Sequence, residues 1–274
     1  MAPDHLPLRH ALALGLLQGP TELLPVSSSA HTSLMPLIAG WPYAELDPQL
    51  RKAFEVALHA GAGLALALEL REDLLEDVLD LNRERLLVIA LSLAPPALAG
   101  LTLHGFIERR LGGPRSIAAG LVAGSLAMAA AELRRAPGTR ARKDARAGDG
   151  LALGVAQTAA LMPGVSRSGA ALTATRMRGF SRADSQALSW HAALGVILGA
   201  SLLTGARLAR SSAPRDARAA LATGAVAAFL STHASAGRLR RGESRRSLLG
   251  FCAYRCVLAS MVMRRLRTAE DGAG

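Results

Sequence analysis

Aromatic residues are scarce in this chain of 274 residues, which holds five Phe, two Trp and two Tyr. Bulky aromatic and β-branched side chains supply much of a soluble core, so their scarcity argues against a soluble domain of this length. Cysteine is nearly absent. Cys252 and Cys256 stand one helical turn apart in an apolar segment, with no second Cys or His pair at zinc spacing. They are read as small apolar fillers, and neither a disulfide framework nor a zinc site is expected. No basic stretch with a small-residue cleavage site precedes the first apolar run, so no signal peptide is expected and insertion relies on the spans themselves. Acidic residues are outnumbered, 21 against 32 Lys and Arg, for a formal net charge of +11. That charge forms neither one face nor one tail. It sits in short caps between apolar runs, which speaks against nucleic acid and fits loops at an anionic lipid surface.

What the sequence does hold is alanine, leucine and glycine in long runs. Small residues let helix backbones approach closely in lipid, where packing is the cohesive force. A span needs about 20 apolar residues, and six segments come close: 54–70, 86–104, 115–133, 187–206, 216–233 and 247–263. The stretch 71–85 is amphipathic and charged, as expected of an interfacial segment. Trp41 and Tyr43 read as interfacial belt residues.

Two further apolar segments are broken midway. Residues 8–38 are interrupted by Gly19-Pro20 and by Pro25 to Ser29, and residues 151–176 by Pro163-Gly164 and by Ser166 to Gly169. Each half is too short to span. Irregular backbone at membrane depth survives only where protein or water satisfies it, so both are read as re-entrant helix–loop–helix hairpins. They also repeat each other. At an offset of 139 residues, Leu12 to Gly15 fall on Leu151 to Gly154, Gln18 on Gln157, and Val26, Ser27 and Ser29 on Val165, Ser166 and Ser168. At a slightly different offset, His59-Ala60 matches His191-Ala192 and Gly63 matches Gly195. Both histidines are read as packing or supporting residues.

The expected fold is therefore an all-α polytopic membrane protein forming a single membrane domain over 1–274. It has six transmembrane helices plus two re-entrant hairpins in two inverted-topology repeats. The repeats run over 6–133 and 150–264, joined by a basic linker loop at 134–149 and followed by a polar tail at 265–274. An odd number of spans, three, separates the hairpins, so the second copy is inverted and the two loops meet near the midplane. Loops at 71–85, 134–149, 176–186 and 234–246 hold 17 Lys and Arg against 13 on the other side, which places both termini outside the cytoplasm.

The hairpins carry the polar residues. The first holds Gln18, Glu22, Ser27, Ser28, Ser29 and His31, and the second Gly164, Ser166, Arg167, Ser168 and Gly169. An arginine at membrane depth costs about 2.5–3.5 kcal/mol on insertion scales, which suggests a function. The set suits a phosphate group. Arg167 offers a planar fork of donors, Gly164 and Gly169 let backbone N–H groups approach an anion, and helix N-termini favour negative charge. Glu22 and His31 can serve as metal ligand, general base or general acid. Ser28 or Ser27 can be a nucleophile beside a base; alternatively Glu22 holds a divalent cation and water attacks. Glu22 and Arg167 could equally form a structural ion pair, and the serines could simply cap short helices. Arg255, beside Tyr254 in the last span, is either a phosphate ligand or a partner of Glu55 or Glu69.

At these residues the chain resembles the undecaprenyl-diphosphate phosphatase family, also called the bacitracin-resistance family, over nearly its whole length. The family's first motif has Glu or Gln, three residues, then Glu, followed by Pro-Val-Ser-Ser-Thr-Gly-His. Gln18, Glu22 and Pro25-Val26-Ser27-Ser28-Ser29-Ala30-His31 fit it. The second, Pro-Gly-x-Ser-Arg-Ser-Gly-Ala-Thr, appears as Pro163 to Ala170 with Ala171 in place of threonine. Phe54-Glu55, Gly179 to Arg182, Ser189 and Tyr254-Arg255 match further. Ala30, Ala171, Ala187 and Gly195 depart from the usual pattern. The resemblance implies hydrolysis of undecaprenyl diphosphate to undecaprenyl phosphate, recycling the carrier for cell-wall glycans and conferring bacitracin resistance, in a bacterial plasma membrane with the active site opening to the extracytoplasmic side. Its partners are a polyprenyl diphosphate lipid and the bilayer, with no nucleic acid; the oligomeric state is open, a homodimer being one arrangement. It implies Glu22 as base or metal ligand, Ser28 as candidate nucleophile, His31 as acid/base partner and Arg167 as diphosphate clamp. Ser27, Ser29, Gly164, Ser166, Ser168, Gly169 and Arg255 would bind the diphosphate, and Glu22 with Gln18 a divalent cation, Mg2+ or Ca2+. Inverted repeats with broken helices are also transporter architecture, and an inactive scaffold would keep the same fold. The pairing of Ser28 and His31 with Arg167 favours the enzyme, since a transporter needs no nucleophile beside a base.

Overall fold

A computed structural model describes residues 6–134, 138–208, 217–242 and 247–271. Residues 1–5, part of the basic linker (135–137), the start of the fifth span (216), part of the last basic loop (243–246) and the end of the polar tail (272–274) lie outside the described residues. Those described form eleven α-helices and no β-strand: α1 Leu8–Leu23, α2 Ser28–Ala39, α3 Pro48–Glu69, α4 Arg71–Leu79, α5 Arg83–Leu111, α6 Pro114–Glu132, α7 Ala147–Ala159, α8 Arg167–Met177, α9 Arg182–Leu208, α10 Ala217–Gly242 and α11 Leu248–Asp271.

Among the described residues, four helices are long and apolar enough to cross a membrane: α5 over Arg83–Leu103, α6 over Pro114–Glu132, α9 over Arg182–Ala206 and α10 over Ala217–Arg240. The pair α3 and α4 passes the same test together, bent by 65° at Leu70. The outer surface is apolar. Leu86, Ile89, Leu98, Leu101 and Phe106 of α5 all lie exposed, on a helix whose apolar window is only 11 % buried. Soluble monomers seldom present so large an apolar surface; in a bilayer it faces hydrocarbon. The protein is a multi-pass membrane protein.

Both broken segments fold as helix pairs, with one difference from the expectation. Gly19-Pro20 does not interrupt the first segment, for α1 runs on to Leu23. A proline removes a donor and strains the preceding turn. Here Ser231 of α10 bridges the strained turn before the proline, its hydroxyl accepting the Gly19 N–H at 3.1 Å and donating to the Gly15 carbonyl at 3.0 Å. Neighbouring hydroxyls commonly rescue broken helices in this way in membranes. The chain turns only at 24–27, and in the second segment between Ala159 and Arg167.

Each hairpin's outer helix packs on a helix from the other half of the chain, α1 on α10 and α7 on α5. Equivalent glycines set both contacts. A Cβ at Gly15 would stand 2.6 Å from the Gly224 carbonyl oxygen, and one at Gly154 would stand 2.2 Å from that of Leu91. Further pairs join the halves directly, chief among them α3 with α10, α6 with α11 and α3 with α9. The chain's two halves are thus interlocked, and the two hairpin loops face each other at the centre.

Candidate active site

Glu22 lies on the last turn of α1 with its side chain 4 % exposed. A lone carboxylate so placed would be costly, and three side chains offset that cost by donating hydrogen bonds to it. Arg167 Nη2 donates to Oε1 at 2.9 Å. On Oε2, Gln18 Nε2 donates at 3.0 Å and Ser28 Oγ at 2.6 Å, with His59 Nε2 at 3.6 Å. Gln18 stands one turn before Glu22 on the same helix face. Ser28 opens α2, Arg167 opens α8 and His59 comes from α3, so four elements converge on one carboxylate.

The two inner helices start alike. Ser27 and Ser166 are the N-caps of α2 and α8, and both hold positive φ, 77° and 73°. Such backbone in a residue other than glycine costs on the order of 1–3 kcal/mol and gathers at functional sites. Each is held by the same bonds. The Ser27 hydroxyl accepts from Ala30 N–H and meets the Ser29 hydroxyl at 3.3 Å. Ser166 accepts from Gly169 N–H and meets Ser168 at 3.2 Å. The Ser168 hydroxyl also reaches across to the Leu24 carbonyl at 2.9 Å, tying the hairpins together. Both helix N-termini, with their positive dipole ends, point at the Glu22 cluster.

His31 sits one turn into α2 and is buried. Its Nδ1 lies 2.7 Å from the Ser27 carbonyl and must donate to it, which leaves Nε2 to accept from the Tyr254 hydroxyl at 2.6 Å. Tyr254 and His59 are the two members of this centre that sequence reasoning left out of the site. Each reaches it from a distant helix, and only the repeat-matched position of His59 and the Tyr254-Arg255 pair gave any signal.

Three residues read as phosphate ligands are used differently. Arg255 is fully buried, and its guanidinium donates to main-chain carbonyls: Pro25 at 2.9 Å, Gly164 at 2.9 Å, Val165 at 3.0 Å and Leu121 at 3.1 Å. It is a clamp binding both hairpin loops to α6, with its donors already engaged. Neither Glu55 nor Glu69, the alternative partners, is among its bonds, which all run to main-chain carbonyls. Gly164 has φ 94° and packs so closely on α6 that a Cβ would stand 2.2 Å from the Ile117 carbonyl oxygen, so it shapes the turn. The N–H of Gly169 is spent on the Ser166 cap.

No group of three or more His, Cys, Asp or Glu at metal-binding distance occurs among the described residues. Glu22 is nonetheless flanked by a hard oxygen donor, Gln18 Oε1, which is buried without a partner. A small divalent cation can rest on one carboxylate and take its other ligands from phosphate and water, so the set fits one.

A family model described as bacitracin resistance protein BacA matches residues 11–261. A relative named undecaprenyl-diphosphatase in Geobacter sulfurreducens is 36 % identical over 272 residues, covering 94 % of this chain and 98 % of its own. One of the same name in Pelobacter propionicus is 35 % identical, covering 97 % and 99 %. Another in Gemmatimonas aurantiaca is 32 % identical, covering 93 % and 97 %.

Proposed function

Because the chain belongs to the bacitracin resistance protein BacA family, matched over residues 11–261, we propose that it hydrolyses undecaprenyl diphosphate to undecaprenyl phosphate and phosphate in a bacterial plasma membrane, recycling the lipid carrier of cell-wall glycans. The observation that carries this reading is the bond of 2.6 Å from the Ser28 hydroxyl to the Glu22 carboxylate. A hydroxyl within hydrogen-bond reach of a base, itself oriented by further groups, is the arrangement of an activated nucleophile.

Ser28 Oγ attacks the terminal phosphorus while the bond from phosphorus to the bridging oxygen breaks. The Ser28 proton passes to Glu22 Oε2 and from there to the departing lipid phosphate. Water, deprotonated by Glu22, then attacks the phosphoserine; the bond from phosphorus to Ser28 Oγ breaks, phosphate leaves and Glu22 returns the proton to Ser28 Oγ. Arg167, bound to Glu22 before substrate arrives, presents its remaining donors to the phosphate oxygens. His31 keeps a proton on Nδ1 and exchanges protons at Nε2 through the Tyr254 hydroxyl, supporting the transfers made by Glu22. Ser27 and Ser29, with the first N–H groups of α2, line the phosphate position. A divalent cation, Mg2+ or Ca2+, would be held by Glu22 and Gln18 and would neutralise charge on the diphosphate. The reading includes six spans, α3, α5, α6, α9, α10 and α11, and two oppositely inserted re-entrant hairpins. Both termini and the opening of the site lie on the extracytoplasmic side.

The test is phosphate release from a C55 diphosphate by purified protein in detergent, with and without divalent cation. Release is expected, and Ser28→Ala should lower it by about 10²–10⁴-fold. No release with any cation would overturn the enzyme; near-normal release by the variant would move the attack to water.

A further inference from the structure

A cavity of about 250 Å³ lies apart from the Glu22 cluster, on the far side of the turn at Pro25, which forms part of its wall. It is walled by the end of α6 (Glu132), the end of α8 (Arg176), the start of α9 (Arg182 to Trp190), the end of α10 (Arg240) and the start of α11 (Phe251). These ends all belong to the face of the loops at 71–85, 176–186 and 234–246, opposite the foot of the first hairpin.

Its charges do not balance internally. Asp73 pairs with Arg240, and Glu132 with Arg182. Arg176 donates through Nη1 to the Phe180 carbonyl and makes no ion pair within 4 Å among the described residues; the nearby acidic group, Glu132, is already paired with Arg182. Three polar atoms of the wall are buried without hydrogen-bond partners: Arg176 Nε, Gln186 Nε2 and Glu132 Oε2. The Glu132 side chain is 6 % exposed. Buried polar groups are ordinarily paired; the two orphan donors, Arg176 Nε and Gln186 Nε2, mark a place for an acceptor ligand, while Glu132, whose Oε2 would oppose an anion, is held by Arg182. The excess charge is positive and planar, which suits a phosphate. The remaining wall is apolar, including Leu172, Trp190 and Phe251. The volume is below the roughly 300–1,000 Å³ of sites that enclose a whole small ligand, so it holds a headgroup while the tail runs out between helices. Basic pockets between membrane helices on the cytoplasmic side bind anionic lipid headgroups by this chemistry.

We infer that this cavity is a second site, distinct from the Glu22 cluster, that binds the phosphate headgroup of an anionic membrane lipid through Arg176 and Gln186. The inference goes beyond the phosphatase reading and does not depend on it. Trp190 lies in the wall and Trp41 is the only other tryptophan, so Trp41→Phe leaves Trp190 as sole reporter. In that background, short-chain phosphatidic acid and farnesyl monophosphate are titrated in detergent, with short-chain diacylglycerol and inorganic phosphate as controls. A saturable Trp190 fluorescence change is expected with one or both phosphate amphiphiles and neither control; which of them binds more tightly identifies the source of the headgroup. Arg176→Gln should weaken it by about tenfold or more. Ala187→Phe, which fills the cavity without changing charge, should abolish it. Arg167→Ala, which disables the catalytic clamp, should leave it in place. No saturable change in the parent, an equal response to either control, or an undiminished response in Arg176→Gln would overturn the site.

Discussion

Arg167, half-buried, and Arg255, fully buried, belong to the same centre, and what their donors meet separates their duties. Arg167 gives one donor to Glu22 and keeps a side chain 20 % exposed, so it has donors left for a ligand. Arg255 spends its guanidinium on the loop carbonyls of Pro25, Gly164 and Val165. Each buried carbonyl left without a donor costs on the order of 1–3 kcal/mol. Arg255→Met should therefore destabilise the fold by at least about 3 kcal/mol and lower the thermal midpoint in detergent. Arg167→Ala should hold the midpoint near wild type and lose phosphate release. If Arg255→Met melted normally but failed to bind substrate, the clamp assignment would be wrong. The sequence displayed Glu22, Ser28, His31 and Arg167 because their types are costly in apolar segments. It could not display the use made of Arg255, whose acceptors are backbone carbonyls common to every residue. Nor could it show His59 and Tyr254 as neighbours of Glu22 and His31, since the helices that bring them are distant in the chain.

Among the elements, the hairpins were legible as broken apolar segments, but the position of the first break was not. Pro20 and Gly19 signal a break locally, and the hydroxyl that bridges that turn comes from Ser231, more than 200 residues away. The outer helices of both hairpins depend on glycine at matching places. Gly15→Val and Gly154→Val each drive a side chain into main chain of the packed helix, which cannot yield as a side-chain tip can. Overpacking of this kind costs about 1–3 kcal/mol, so both variants should melt several degrees lower. Gly100→Ala, with nothing within 4 Å of the new Cβ, should be neutral or slightly stabilising. Equal melting of all three would remove the close-packing argument. At the foot of the second hairpin, outside the spans, Asp149 accepts bonds from Arg140, Arg178 and the Arg146 N–H. Burial opposes its ionisation, but these donors prevail and hold the carboxyl down at about 2, below its ordinary 3.8. A lowered carboxyl pKa gives stability that is complete above the unfolded value and is lost as pH falls through the folded one. The thermal midpoint should thus drop between about pH 4 and pH 2, and Asp149→Asn should flatten that part of the curve while starting lower at neutral pH. A drop of the same size in the variant would assign it to other carboxyls.

At the scale of the whole molecule, the exchange of packing partners, α1 on α10 and α7 on α5, is what an internal repeat with crossed halves produces. The repeat was readable from the offset of 139 residues, and the crossing was not, because sequence identity says which segments are alike but not which ones touch. Inversion rests on counting. The first hairpin ends before α3, and three proposed spans, α3, α5 and α6, precede the second, so the feet of the two hairpins must emerge on opposite faces. Cysteine labelling tests this directly, once Cys252 and Cys256 are replaced by serine. Gln49 at the start of α3, Gly113 between α5 and α6, and Thr139 before α7 are all exposed. With both termini outside the cytoplasm, Gln49→Cys and Gly113→Cys should react with a membrane-impermeant maleimide in intact cells, and Thr139→Cys only after the membrane is opened. The reverse pattern would keep the inverted repeats and turn the molecule over, moving the phosphate headgroup cavity to the outer face. Labelling of Gln49→Cys and Thr139→Cys from one side would make the span count even, and the two hairpins would then enter from the same face rather than meet from opposite ones.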